Sequence, residues 1–286
     1  MELTVISGKG GTGKTTIALA LSELAKDAVK ADCDVDAPNL YLFYDGRDIR
    51  KEYFYGEKKA VIDKKFCSGC KECEKVCQFD AIKDGIVNPF KCEGCGACIL
   101  VCHHNAISLK EKKTADVYIT QTDKGIISRA QMEVGSEGSG KLITMLRSNA
   151  RKFSDENILI IIDGSPGIGC PVISSITGSD AVLIVTEPTQ SGLEDFMRVM
   201  ELCRHFGVLT LACINKYDIN EKVAEEIESF CRENDVYLIG KIPYDDTVMK
   251  SINELKPIVY YEGSKANQAI RQMWDNICKY IKYLNQ

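Results

Sequence analysis

Two groups of residues in this chain have types and spacings that can do chemistry. The first is a run of eight cysteines, Cys67, Cys70, Cys73 and Cys77, then Cys92, Cys95, Cys98 and Cys102, spaced Cys-x2-Cys-x2-Cys-x3-Cys twice over. Thiolates at such spacing are soft metal ligands, and a cysteine-rich chain in a reducing compartment is expected to hold metal rather than disulfides. The second is Gly8-Lys9-Gly10-Gly11-Thr12-Gly13-Lys14-Thr15-Thr16, which satisfies the Gly-x4-Gly-Lys-Thr pattern. Its glycines let backbone N–H groups curl around phosphate oxygens at a helix N-terminus. Lys14 would reach the β- and γ-phosphates, and the Thr15 hydroxyl would complete a Mg²⁺ shell.

The loop needs a strand before it and a helix after it, and the sequence supplies both. Leu3, Val5 and Ile6 form a short apolar run, and Ile17, Leu19, Ala20, Leu21 and Leu24 form an apolar stripe at helical spacing. A second strand over Val29–Ala31 ends in the acidic stretch Asp32-Cys33-Asp34-Val35-Asp36. Further apolar strands fit Val117–Thr120, Ile158–Ile162, Ala181–Val185, Leu209–Ile214 and Val236–Ile239, with helices at Leu142–Ala150, Glu194–Phe206 and Val223–Cys231. Uniformly apolar strands alternating with helices predict an α/β fold: a mostly parallel sheet with helices on both faces. Asp163 closes one of these strands, where a carboxylate can face a metal.

The cysteine run interrupts this pattern. Residues 62–85 and 87–110 repeat at a shift of 25 that carries Cys67, Cys70, Cys73 and Cys77 onto Cys92, Cys95, Cys98 and Cys102, and Ala81-Ile82 onto Ala106-Ile107. Such self-similarity predicts two like half-units about a pseudo-twofold axis. The expected organisation is an α/β domain over 1–57 and 113–286, with a small α+β module over 58–112 inserted after the second strand.

Composition excludes several classes. The 286 residues are 45% hydrophobic and 27% charged, with a net charge of −5, unlike a general nucleic-acid binder. The longest apolar runs fall far short of the ~18 residues of a membrane span. Met1 leads almost directly into the first strand, leaving no room for a signal peptide, so the cytoplasm is the expected compartment. Cys33, Cys203, Cys213, Cys231 and Cys278 fall in apolar patterns and read as core, and His103, His104 and His205 have no ligand spacing. Ile270, Trp274, Ile277, Ile281 and Leu284 make one stripe of a terminal helix that is expected to dock on the sheet.

The duplicated cysteine spacing resembles that of bacterial two-cluster ferredoxins. That resemblance implies two [4Fe–4S] clusters with crossed ligation: Cys67, Cys70, Cys73 and Cys102 on one, Cys92, Cys95, Cys98 and Cys77 on the other. Zinc is the competing reading, although structural zinc sites use two separated Cys-x2-Cys knuckles. Gln78 and His103 stand where ferredoxins carry proline after the fourth cysteine, which alters the turn without removing a ligand.

The string Lys9-Gly-Gly-Thr-Gly-Lys14-Thr15-Thr16 resembles the deviant Walker A loop of the MinD/ParA/Mrp and nitrogenase iron protein superfamily. The likeness covers the whole α/β part. It implies a homodimer sandwiching ATP, with Lys9 reaching the partner's nucleotide. Asp32 to Leu40 is similar to the family's switch I, implying that Asp34, or next Asp36, orients the attacking water and that Asp32 holds Mg²⁺ with Asp163. Gly164-Ser165-Pro166-Gly167 looks like switch II, with Ser165 in place of the more usual proline. Asn215 resembles the adenine-reading asparagine and Pro243 the base-lining loop. Cys170 lies where the nitrogenase iron protein has a bridging cluster ligand, while Gly135–Gly140, the counterpart of its second ligand loop, holds no cysteine. Relatives carry a cobyrinic acid a,c-diamide synthase label, but nothing here resembles a glutamine amidotransferase half. The expectation is an ATPase whose dimer switch is coupled to electron transfer through two clusters to a redox partner. The alternatives are a carrier that delivers a cluster or metallocofactor to an apo-metalloprotein acceptor, and a MinD-like spatial positioning ATPase.

Overall fold

The computed structural model describes residues 1–155 and 158–284. In chain order the elements are β1 (Glu2–Ser7), α1 (Lys14–Leu24), β2 (Val29–Asp32), β3 (Gly46–Phe54), β4 (Glu57–Ile62), α2 (Glu72–Val76), β5 (Ile82–Lys83), β6 (Ile86–Val87), α3 (Ala97–Leu100) and β7 (Ile107–Lys112). They continue with β8 (Ala115–Thr122), β9 (Gly125–Met132), α4 (Gly140–Arg151), β10 (Ile160–Pro166), α5 (Cys170–Ile176), β11 (Ala181–Thr186), α6 (Gln190–His205), β12 (Leu209–Asn215), α7 (Glu221–Glu233), β13 (Tyr237–Ile242), α8 (Asp246–Asn253) and α9 (Lys265–Leu284). Two compact units result, one of Met1–Lys51, Val117–Gln131 and Gly138–Gln286, the other of Glu52–Asp116 and Met132–Glu137.

The larger unit is built on a sheet of order β13-β12-β11-β1-β10-β2-β9-β8-β3, parallel from β13 through β9. Its central strands β1, β10 and β11 are buried along nearly their whole length and are mostly apolar because both faces are covered. Leu183, Val185, Leu211 and Cys213 pack with Ile17 and Leu21 of α1 and Ile270, Met273 and Ile277 of α9. Val182, Ile184, Ala212 and Ile214 point the other way, onto Val172 of α5, Phe196 and Val199 of α6 and Ile227 of α7. This is the expected α/β architecture. The terminal stripe docks as expected through Ile270 and Ile277, with Trp274 packed alongside; the side chains of Ile281 and Leu284 lie outside the described residues. No helix among the described residues is long and apolar enough to cross a membrane.

In the nine-stranded sheet two strands escape the sequence reading. β3, Gly-Arg-Asp-Ile-Arg-Lys-Glu-Tyr-Phe, is mostly exposed and heavily charged because it forms the sheet edge, where charge blocks pairing with another chain. β9 follows the tight turn Asp123-Lys124 and pairs in parallel with β2 at Lys30↔Ile127 and Ala31↔Ser128. Cys33, Cys203, Cys213 and Cys231 are buried, and burial pushes the last three thiols up to about 12; Cys278 is half-buried.

The smaller unit has its own small core of Ala60, Ala81, Ile82, Cys92, Cys98 and Ile107. Asp63 N–H donates to the Ala106 carbonyl (2.8 Å), and Asn88 N–H donates to the Ala81 carbonyl (2.7 Å). These two bonds exchange under the 25-residue shift, as a pseudo-twofold axis requires. Left-handed backbone recurs at the same shift, at Gly69 and Gly94, Lys71 and Gly96, and Asp80 and Asn105.

A buried charge cluster ties β1 to α4. Glu2 accepts from Arg147 and Arg151, and Arg147 Nη1 also donates to the carbonyls of Ser174 (2.6 Å) and Thr177 (2.7 Å). Burial alone would raise the Glu2 carboxyl, but the two guanidinium groups outweigh it and hold it below the ordinary 4.5. Removing the acid leaves Arg147 buried and uncompensated, so Glu2→Ala should cost about 3 kcal/mol and lower Tm by about 6 °C. Because the folded carboxyl titrates below its unfolded value, its contribution is complete above pH 4.5 and disappears as pH falls through the folded value. Thermal melts should therefore show the gap between wild type and variant closing in acid.

Candidate functional site

The loop between β1 and α1 carries left-handed backbone at Gly11 and Gly13, with φ of 82° and 88°. A Cβ on Gly8 would lie 2.3 Å from Asp195 Cβ, and one on Gly13 would lie 2.4 Å from Asn215 Nδ2. Glycine is required at both positions for close approach. The turn brings Lys14 under the strand ends, where its ammonium lies 2.5 Å from Asp163 Oδ1, 3.2 Å from Asp34 Oδ2 and 3.3 Å from Thr15 Oγ1.

Asp32, at the end of β2, completes this cluster. One lysine therefore faces three acids. Burial and the neighbouring Asp163 push the Asp32 carboxyl well above the usual range, and burial raises that of Asp34 against the pull of Lys14. Burial would lower the Lys14 ammonium, but Asp163 and Asp34 raise it, so it stays charged. Asp32 Oδ1, Asp163 Oδ2 and Thr12 Oγ1 are buried without a hydrogen-bond partner. Excess negative charge and orphaned hard oxygens are what a small divalent cation satisfies, so these residues fit Mg²⁺.

Asp34 and Asp36 part company. Asp34 stands at Lys14, whereas exposed Asp36 accepts from the backbone N–H of Gly138 (3.0 Å). Ser165, the departure from the usual proline, donates its hydroxyl to the Cys33 carbonyl (2.7 Å), while Cys33 N–H donates to the Asp163 carbonyl (2.8 Å). The segments after β2 and within the end of β10 are thereby tied on both sides of Cys33. Lys9 bends toward the start of α6 of the same chain, with its ammonium 3.2 Å from both Thr189 Oγ1 and Ser191 Oγ and 3.9 Å from Glu187.

Beside the loop opens a cavity of about 200 Å³, lined by Gly13, Thr16, Asn215, Pro243, Val248 and Ile270 among others. Asn215 donates to the Thr12 carbonyl (2.8 Å), which fixes it against the phosphate loop, and Pro243 stands in the same wall. The apolar wall from α8 and α9 was not singled out in the sequence, nor was Asp245. That residue accepts from Thr247 N–H (2.8 Å), Ser264 Oγ (2.6 Å) and Ala266 N–H (3.1 Å), holding together the N-terminal ends of both helices. Although burial opposes it, these bonds hold the Asp245 carboxyl well below the usual range. The Asp-Asp-Thr run opening α8 was the available signal, an N-cap pattern.

In the smaller unit the eight cysteines surround two voids. Cys67, Cys70, Cys73 and Cys102 line one, and Cys77, Cys92, Cys95 and Cys98 line the other, each with about 20 Å³ of free space. Each quartet draws three thiols from one repeat and the fourth from the other. Backbone N–H groups donate to sulfur at Cys77 (Ala81, 3.4 Å), Cys102 (Ala106, 3.3 Å) and Cys92 (Ala60, 3.4 Å). Among the described residues no three His, Cys, Asp or Glu side chains are arranged to hold a single metal ion. Voids ringed by four soft donors and backed by N–H groups fit a polyatomic iron–sulfur core. Cys170 is exposed at the start of α5.

The chain matches the CobQ/CobB/MinD/ParA nucleotide binding domain family over residues 3–258. The protein MJ0578 of Methanocaldococcus jannaschii is 36% identical over 285 residues, covering 98% of each chain. The septum site-determining protein MinD of Escherichia coli is 24% identical over 293 residues, covering 93% of this chain and 87% of that one. Among solved structures, the septum site-determining protein MinD complexed with Mg-ADP from Pyrococcus horikoshii superposes with a TM-score of 0.61 at 20% identity, covering 99% and 98% of the two chains.

Ser165 makes the hydrogen bond that its proline counterpart cannot, so Ser165→Ala tests whether that tie holds the acids at Lys14. Losing one such bond costs about 1 kcal/mol, and we expect kcat for nucleotide hydrolysis to fall about fivefold with KM changed less than about twofold. Steady-state kinetics reads this directly; an unchanged kcat would make the bond incidental.

Proposed function

The chain belongs to the CobQ/CobB/MinD/ParA nucleotide-binding family of P-loop ATPases, and we propose from that premise that its ATP cycle governs a pair of [4Fe–4S] clusters used for electron transfer. The observation that carries this reading is the pair of voids, each ringed by four cysteines drawn three and one from the two repeats. We take 58–112 as the cluster-bearing module and 1–57 with 113–286 as the ATPase domain.

In this reading the residues from Gly8 to Thr16 hold the phosphates, and Lys14 leaves Asp163 and Asp34 to meet them. Asp32 and Asp163, with Thr15, then hold Mg²⁺, and Asp34 accepts a proton from the attacking water. Asn215 and Pro243 bound the base cavity. Release of Lys9 from Thr189, Ser191 and Glu187 would let it reach the nucleotide of a second copy, giving a homodimer as the working state. Bound at the two quartets, [4Fe–4S] clusters supply one-electron exchange with a redox partner. The cytoplasm is the compartment that suits both the thiols and ATP.

Spatial positioning of the kind named for the MinD relatives is the second reading, and the names of those relatives favour it. It gives the cysteine quartets no role. Delivery of a cluster to an apo-metalloprotein is the third, supported by the exposed Cys170.

Anaerobic purification with metal and sulfide analysis separates these readings. The redox reading expects about eight iron and about eight sulfide per chain, retained through ATP turnover. ATP-stimulated loss of iron to an acceptor would favour delivery, and zinc or absent sulfide would leave positioning. Lys14→Ala should lower ATP hydrolysis by at least about 100-fold while leaving iron content unchanged.

A further inference from the structure

The two halves of the smaller unit are not equally covered. Under the 25-residue shift, the pairs Val61↔Ser108 and Ile62↔Ile107 of the β4–β7 ladder correspond to Ile86↔Lys83 and Val87↔Ile82 of the β5–β6 hairpin. The longer ladder then runs on through Ala60↔Leu109, Lys59↔Lys110, Lys58↔Glu111 and Glu57↔Lys112, whereas the short hairpin turns back at Asp84-Gly85.

These extra pairs lie over the second half. A Cβ on Gly94 would be 2.1 Å from the Lys58 carbonyl oxygen, Lys59 Nζ donates to the Cys92 carbonyl (2.6 Å), and Ala60 N–H donates to Cys92 Sγ. At the equivalent Gly69 nothing lies within 4 Å. Cys92 and Cys98 are accordingly buried, at 7% exposure each, while their counterparts Cys67 and Cys73 are half-buried. In front of Cys67 and Cys73 opens a cleft of about 280 Å³, bounded by Lys64, Gly69, Glu74 and Asp84 and crossed at its rim by the Lys71–Asp84 ion pair (2.7 Å).

We propose that this cleft is the electron port of the cysteine unit: a soluble one-electron carrier exchanges with the site formed by Cys67, Cys70, Cys73 and Cys102, and the site under the long ladder exchanges through it. This rests on the reading that both quartets hold [4Fe–4S] clusters. In the step itself one electron leaves the reduced carrier and enters the core behind the cleft. The carrier is oxidised by one electron, the core is reduced by one, and no bond or proton changes place. The mixed charges of the rim suit a carrier with paired acidic and basic groups rather than one of a single sign.

The test uses the full chain loaded anaerobically with iron and sulfide, reduced, and observed by EPR with dysprosium–EDTA as an aqueous relaxation probe. Cys73→Ser and Cys98→Ser assign each signal to its quartet by the spectral change each causes. The signal assigned through Cys73 should relax at least about threefold more than the other, since solvent access distinguishes such sites. A second measurement, iron release to bathophenanthroline disulfonate, should be biphasic, with the fast half coming from the Cys73 site. Equal relaxation, or greater relaxation at the Cys98 site, overturns the port while leaving the clusters in place. Failure of the chain to take up iron and sulfide overturns the cluster reading and the port with it.

Discussion

The nucleotide site depends on one buried lysine holding three acids at the ends of two neighbouring strands. Lys14, with 5% of its side chain exposed, stands between Asp163 and Asp34, with Asp32 fully buried behind them. A single cation cannot neutralise three carboxylates, and the burial that strengthens each ion pair also raises the cost of each unpaired oxygen. This arrangement is poised for exchange. In the proposed cycle, phosphate groups would draw the lysine away and a divalent cation would take its place among the aspartates. The proposed cycle therefore needs two discrete arrangements of the same four residues, of which the structure shows the one with Lys14 paired to Asp163 and Asp34.

In the proposed cycle the residues around that cluster would carry the exchange outward. Ser165 and the backbone of Cys33 bind the end of β10 to the segment after β2. Asp36, two residues beyond Asp34, holds the N–H of Gly138, the first residue of the larger unit after the chain leaves the cysteine unit at Met132–Glu137. On the other side of the loop, Asp245 fixes the helix ends that wall the base cavity, and Asn215 fixes the loop itself.

The sequence announces most strongly what strict local geometry demands. The Gly8–Thr16 run permits few backbone paths, and strands buried on both faces must be apolar throughout, so the phosphate loop and the parallel sheet are legible at once. The cysteine repeat is legible because its period is fixed, and the structure carries that period into backbone conformation. What stays hidden is whatever depends on partners distant in sequence. β3 goes unassigned in the sequence because an edge strand is recognised only by its neighbour. Ser165 looks like a loss of proline until the Cys33 carbonyl is seen opposite it. The ladder beyond Ala60 has no motif at all, yet it makes the two halves of the repeat unequal.

The coupling of nucleotide state to the cysteine quartets is the central claim, and a redox titration addresses it most directly. The cluster-loaded chain is followed by EPR with and without Mg²⁺ and ATP, beside Lys14→Ala. The account predicts midpoint potentials that shift by at least about 30 mV when nucleotide binds, and no shift in the variant. Potentials that ignore nucleotide in the wild-type chain, or that move equally in Lys14→Ala, would contradict it.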